Sequence, residues 1–215
     1  MKFIFNISFL ISCFFGFSQA ESEETVTNKR VFYDAKVGVN IIRGASTLFG
    51  SDVEAQELQA ALGMHTFDLV FDYGTEKNNR SGNYIYENSG SYFRFGMDRN
   101  FVKDRSNGNV LSLGLRYARA NFEDALSYSI DNGFGLQDIS LSNSDLSARW
   151  MELNFNLRGK IVSNFYAGFT LRWKFARKIT GEETLKTFDV PGFGDTKREN
   201  ATSFDYYMMW RIPFR

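Results

Sequence analysis

The chain is short of the residues most enzymes lean on. Its 215 residues hold one cysteine, one histidine and two prolines. The cysteine, Cys13, lies inside the N-terminal apolar run. A mature chain cut beyond it has no disulfide, no thiol catalysis and no thiolate metal site. The histidine, His65, falls at a short turn, where a solvated side chain is expected. No long loop contains a histidine, so no Ser/His/Asp arrangement assembles there, although chemistry by Asp and Glu alone stays open. Excess charge of one sign is missing too. Lysine plus arginine and aspartate plus glutamate stand at 25 each, which points away from nucleic acid. After Phe17 no apolar run approaches the length of a spanning helix.

Aromatics and alternation are what the chain has. The 23 phenylalanines and a 17 % aromatic share favour strands. At the N-terminus Lys2, the apolar run Phe3 to Phe17 and then Ser18-Gln19-Ala20 read as a signal peptide cleaved after Ala20. Leu10-Ile11-Ser12-Cys13 resembles a lipoprotein cleavage box, which leaves lipidation of Cys13 as the rival reading. Residues 21–30 are polar and unpatterned and read as a flexible periplasmic lead-in. Residues 31–215 remain as one domain.

That domain alternates with a period of two in eight stretches. They are Val31 to Arg43, Glu57 to Met64, Phe67 to Gly74, Ser91 to Val102, Asn109 to Phe122, Ala148 to Ile161, Asn164 to Arg177 and Ser203 to Phe214. Short connections fall near His65, at Lys103 to Gly108 and at Val162-Ser163. Long polar ones fall at Gly44 to Gln56, Thr75 to Gly90, Glu123 to Ser147 and Lys178 to Ala201. An even strand count with short turns at one end and long loops at the other predicts an all-β fold. The expected form is an eight-stranded antiparallel up-and-down transmembrane β-barrel of the outer-membrane type. A soluble exported barrel, apolar within, is the alternative.

The export signal, the loop asymmetry and Gly38, Gly96, Gly114 and Gly168 on the charged face together place that face inside. The expected lumen charges are Asp34, Lys36, Asp68, Asp72, Arg94, Asp98, Arg116, Glu152, Arg158, Lys160, Arg172, Lys174, Asp205 and Arg211. A lumen of eight strands is just wide enough for side chains to fill, so these charges should form an ion-pair network rather than line a pore. Arg43, Arg99, Arg119 and Arg177 interrupt the apolar rows near strand ends, where they should snorkel to the interface. Tyr73, Tyr117, Trp173 and Phe175 should form the outer aromatic girdle, and Phe101, Phe165 and Phe214 the inner one.

The last strand carries the row Tyr206, Met208, Trp210, Ile212 and Phe214, expected to face lipid and to serve as the barrel-assembly signal. Pro213 lacks a backbone donor, so the seam with the first strand should stop just short of it. In the third long loop Glu123, Asp124, Asp131, Asp138 and Asp145 match no calcium-loop spacing, and a solvated acidic loop is expected. In the fourth, Phe188, Pro191 and Phe193 sit around two glycines in a defined turn. They would either anchor a partner or fold over the barrel mouth.

The stretches SYFRFGMDRNF (Ser91 to Phe101), LGLRYARANF (Leu113 to Phe122) and RWMELNFNLRGKI (Arg149 to Ile161) resemble the domain-of-unknown-function family 6048. So do the turn Pro191 to Gly194 and the ending YYMMWRIPF (Tyr206 to Phe214). The resemblance covers Val31 to the C-terminus and implies a small outer-membrane barrel of a Gram-negative bacterium, with no activity or catalytic residues attached. The expectation is therefore a non-enzymatic barrel without cofactor or metal, a structural or accessory subunit of an envelope assembly. Its partners would be outer-membrane lipid, the barrel-assembly machinery during biogenesis, and proteins of an envelope complex. A narrow channel for ions or small solutes, and a lipid-modifying enzyme, are the competing classes.

Overall fold

The computed structural model describes residues 31–48, 51–102, 108–131, 133 and 135–214. The leader and lead-in expected over residues 1–30, and most of the turn at Lys103 to Gly108, lie outside the described residues. Eight strands close a barrel in the order β1-β10-β7-β6-β5-β4-β3-β2. They are β1 (Phe32–Asn40), β2 (Val53–Met64), β3 (Phe67–Ser81), β4 (Ile85–Asn100), β5 (Val110–Asp131), β6 (Leu136–Val162), β7 (Phe165–Thr180) and β10 (Ala201–Pro213). Every neighbouring pair is antiparallel, so the chain runs up and down around the ring. A helix α1 (Ile41–Leu48) follows β1, and a small hairpin, β8 (Asp189–Val190) with β9 (Gly194–Asp195), lies between β7 and β10.

The two faces separate by polarity. Along β5 the outward residues Leu111, Leu113 and Leu115 are exposed while Ser112, Gly114 and Arg116 are buried. Around the ring Phe71, Phe95, Leu153, Trp173, Phe204 and Trp210 are exposed, and Asp72, Arg94, Glu152, Asn154 and Arg172 are buried. A soluble barrel has the opposite arrangement. Turning one such arginine to mid-bilayer lipid would cost about 2–4 kcal/mol, so the exterior is the lipid face of a membrane-spanning barrel. Among the described residues no helix is long and apolar enough to cross a membrane; the crossing is made by strands.

The structure corrects the expected strand bounds in three places. First, β1 stops at Asn40 rather than Arg43. Asn40 Oδ1 accepts the Arg43 N–H at 3.3 Å, the bond of an N-cap residue, and the chain turns into α1. Pairing of β1 with β10 spans only Asp34↔Pro213 to Asn40↔Tyr207. Beyond it α1 stands in the wall where β1 would have continued, packed against β2 and β10.

Second, two of the expected long loops are mostly strand. β3 and β4 pair as far as Ser81↔Ile85, and β5 and β6 as far as Asp131↔Leu136. These hairpins project well past the apolar band. Third, the seam does not stop short of Pro213. Proline pairs opposite Asp34, and the Phe214 N–H donates to Tyr33 O at 2.9 Å. A proline without a donor is tolerated because the next residue supplies the bond.

Candidate functional site

The barrel interior is the site, and its lower layers are ionic. Glu57 on β2 stands at the centre. Its carboxylate accepts from Arg94 Nη1 at 2.7 Å, from the Tyr92 hydroxyl at 2.6 Å and from the Tyr207 hydroxyl. Arg94 Nε donates to Glu152 Oε1 at 2.9 Å. Arg172 bridges four carboxylates, with Nη1 3.0 Å from Glu152, Nε 2.7 Å from Asp205, and Nη2 3.3 Å from Asp72 and 3.4 Å from Glu57. Arg116 forks between Asp72 at 2.6 Å and Asp98 at 2.7 Å. Nearer the short turns, Asp34 takes Lys36 Nζ at 3.0 Å and Arg211 Nε at 2.6 Å.

Each guanidinium thus serves two or more acceptors, the condition under which buried charges repay their desolvation. Arg158 is treated differently. It donates to Gln59 Oε1 at 2.5 Å, while Gln59 Nε2 donates to Asp72 Oδ1 at 2.7 Å, so an amide relays between the two charges. The four lumen glycines make room for this filling. A Cβ on Gly114, for example, would fall on Asp98 Oδ1.

Above the charges lies an apolar layer of Tyr92, Ala118, Ala120, Phe122, Leu146, Ala148, Trp150, Val190 and Phe193. The last two belong to the segment between β7 and β10, which folds down into the mouth. Val190-Pro191-Gly192-Phe193 makes a tight turn closed by Phe193 N–H to Val190 O at 2.9 Å, with Gly192 at φ +79°. Proline at the second place and a positive-φ glycine at the third are what a type II turn requires.

The turn is anchored from below. Gly192 O accepts from Arg94 Nη2 at 3.1 Å and Lys174 Nζ at 2.8 Å, and Phe193 O takes a second bond from Lys174 at 3.1 Å. Gly192 N–H donates to Glu76 Oε2 at 3.1 Å. The Phe193 ring packs edge-on against Trp150, centroids 5.7 Å apart, with the Arg177 guanidinium 4.8 Å above it. On the rim, Asn78 Nδ2 donates to Asp189 Oδ2 at 2.7 Å, and Asn143 Oδ1 gathers the N–H groups of Glu183, Thr184 and Leu185. Burial pushes the Asp189 carboxyl above its ordinary range, and the nearby Glu76 charge adds to this. Burial does the same to Asp124, which accepts from Asn143 and the Tyr86 hydroxyl.

Of the charges expected in the lumen, Asp34, Lys36, Asp68, Asp72, Arg94, Asp98, Arg116, Glu152, Arg158, Arg172, Lys174 and Asp205 are buried there, and Arg211 is half-buried at the lower rim. Lys160 is not among them. It keeps the lumen register, opposite Tyr166, but stands at the lower end of β6, where it is exposed. Arg43 and Arg177 are also corrected, since both turn inward instead of snorkelling. Arg43 caps the network from α1, 2.7 Å from Glu76, 3.3 Å from Glu57 and 3.5 Å from Asp205. Arg177 donates to Thr196 O at 2.9 Å and Arg198 O at 3.1 Å.

Pro191 and Phe193 are buried in the mouth and so are not available to a partner. Phe188 is exposed and lies edge-on to Tyr86 at 5.3 Å. Asp124 is buried rather than solvated. Tyr206, Trp210, Ile212 and Phe214 face outward and exposed, with Met208 half-buried in the same row. Asn154 and Asn156 lie on the polar face that alternation gave them, whereas Glu57, Gln59, Tyr92 and Trp150 are lumen residues that it had left unassigned. Glu57 opens the expected stretch Glu57 to Met64 on the face opposite Leu58, Ala60 and Leu62, and following that face would have found it.

His65 is exposed at the β2–β3 turn with Nδ1 3.0 Å from the Tyr33 hydroxyl. Among the described residues no group of His, Cys, Asp or Glu could hold a metal ion.

The family described as Domain of unknown function (DUF6048) matches residues 1–215. The chain belongs to the DUF6048 family. No curated protein matches it. Among solved structures it is similar to Neisserial surface protein A (NspA), with 9% identity and a TM-score of 0.37 over 86% of this chain and 98% of that one. It is similar also to Acinetobacter baumannii CarO, with 12% identity and a TM-score of 0.38 over 88% of this chain and 100% of that one. At such distances neither carries an argument, and the assignment of this DUF6048 chain as a membrane barrel rests on its own strand pairing and faces.

Proposed function

We propose that this protein is a non-enzymatic outer-membrane barrel that conducts nothing and acts as a structural or accessory subunit of an envelope assembly. The closed interior carries the reading: an ionic network fills the lower lumen, and Gly192 and Phe193 are bonded to Arg94 and Lys174 across the mouth. A pore needs a wet, weakly bonded path, whereas these side chains are buried and bonded to one another. With the lumen filled, the surfaces left for work are the lipid face and the two projecting hairpins. The β5–β6 hairpin carries exposed Ile130 and Leu136 near its tip, and Tyr84 and Ile85 stand at the tip of β3–β4. Apolar side chains on water-facing tips suit contact with another envelope protein.

Crosslinking in intact cells, followed by gentle solubilisation and affinity purification, tests this. A defined protein partner should be captured, and removal of residues 127–140 from the hairpin should abolish its capture. Recovery of the barrel alone under all crosslinkers would sink the proposal.

A further inference from the structure

Three rows on the exterior of β5, β6 and β7 change character abruptly. The lowest is apolar, Tyr117↔Met151↔Phe175. The highest is neutral and polar, Asn121↔Ser147↔Thr180. Between them stands Arg119↔Arg149↔Lys178, three cations on three adjacent strands, all exposed. Residues directly opposite in antiparallel strands have Cβ atoms about 5 Å apart, and like charges placed so repel. On the same face the nearest acid along β5, Glu123, is two rows higher and accepts from Ser89 Oγ at 3.1 Å. A β-bulge contributes to the arrangement. The β6–β7 pairing shifts between Arg149 and Met151, opposite Ala176 at φ +54°. The shift sends Arg177 inward to the plug and presents Lys178 outward, in line with the two arginines.

The row sits where the lipid-facing band ends. Trp173 below it is 48% exposed, and the same row continues onto the neighbouring strands β4 and β3 as aromatics instead of charge, Phe93 standing opposite Arg119 and Tyr73 opposite Phe93. Cations clustered on one arc of a barrel at headgroup depth, mutually repelling, call for an anion that remains at that depth. We infer that Arg119, Arg149 and Lys178 form a binding site for the phosphate of an anionic membrane lipid in the outer leaflet. Two guanidinium forks and an ammonium supply enough donors to surround one phosphate group. The acyl chains of that lipid would run down over Tyr117, Met151 and Phe175. The inference depends on the membrane-barrel reading and on nothing else in the proposed function.

The test uses the full chain in phosphatidylcholine vesicles doped with phosphatidic acid, followed by native mass spectrometry of the lipid retained on the extracted barrel. Wild type should retain phosphatidic acid. The triple variant Arg119→Gln, Arg149→Gln, Lys178→Gln removes three basic residues at the membrane surface and should bind it on the order of 100-fold more weakly. The triple variant Lys77→Gln, Arg80→Gln, Lys197→Gln removes equal charge from exposed sites elsewhere and should behave as wild type. Oleate, an anion without phosphate, should be retained less than phosphatidic acid, and millimolar inorganic phosphate should not compete it away. Equal loss in both triple variants, retention of oleate as strong as that of phosphatidic acid, or displacement by free phosphate would each overturn the site. Failure of the membrane reading is separable, because the wild type would then neither insert into vesicles nor change its gel mobility on boiling.

Discussion

Gly192→Ala is expected to dislodge the plug while leaving the barrel closed. Two effects add. At φ +79° an alanine meets the penalty of the left-handed region, about 1–2 kcal/mol. Its Cβ would also lie 2.6 Å from Tyr92 Cγ and 2.8–2.9 Å from both Cδ atoms. The ring cannot retreat, because its other end already lies where a Cβ on Gly74 would be, and its hydroxyl is held by Glu57 at 2.6 Å. Overpacking of this kind costs about 1–3 kcal/mol. Together the two terms amount to about 2–5 kcal/mol, a fall on the order of 30-fold or more in the closed-to-open ratio of the segment. Hydrogen exchange of the peptide spanning residues 188–196 reads that ratio through the Gly192 and Phe193 amides. Exchange in the variant should rise by that factor, with boiling-dependent gel mobility intact. Unchanged exchange would refute the account of the turn.

Other expectations follow from the same contacts. Removing Glu57 as Glu57→Ala leaves Arg94 and Arg172 short of an acceptor in the interior, which costs about 3–5 kcal/mol. The temperature at which the barrel loses its compact gel mobility should drop, and by less for Glu57→Gln. Burial raises the Asp189 carboxyl, so its contribution to holding the plug is fullest at low pH and is lost as pH rises through that raised value. Exchange of residues 188–196 should therefore slow on acidification, and Asp189→Asn, which removes the buried charge, should flatten the dependence; a slope of opposite sign would contradict this. Phe214→Ala should lower the yield of assembled barrel more than Arg215→Ala, measured by heat-modifiable gel mobility, and equal losses would place the assembly signal elsewhere.

The membrane-spanning part was legible because one face is apolar and the other charged, so a period of two marks both the strand and its orientation. The projecting hairpins were not legible for the converse reason. Asn78-Asn79-Arg80 and Ser127-Tyr128-Ser129 lie in water or against polar neighbours, and no alternation survives to distinguish strand from loop. α1 was hidden because Ile41 continues the apolar row of β1, and only the capping bond from Asn40 reveals the change of direction. A bulge accounts for another error: a single extra residue near Ala176 exchanges the faces of Arg177 and Lys178 and leaves no mark in the composition. Lys160 keeps its expected face, and only its place at the lower end of β6 exposes it. Glu57 was missed by a different route, as the first residue of its expected strand, although it holds the centre of the lumen. Pro191-Gly192 announced a turn, but only the bonds to Arg94 and Lys174 decide that it points into the barrel.

Planar-bilayer recording of the purified wild-type chain tests the closed lumen most directly. The account predicts a trace indistinguishable from a protein-free bilayer, with stepwise openings appearing only when Gly192→Ala and Glu57→Ala are combined. Regular unitary conductance from the wild type would contradict it.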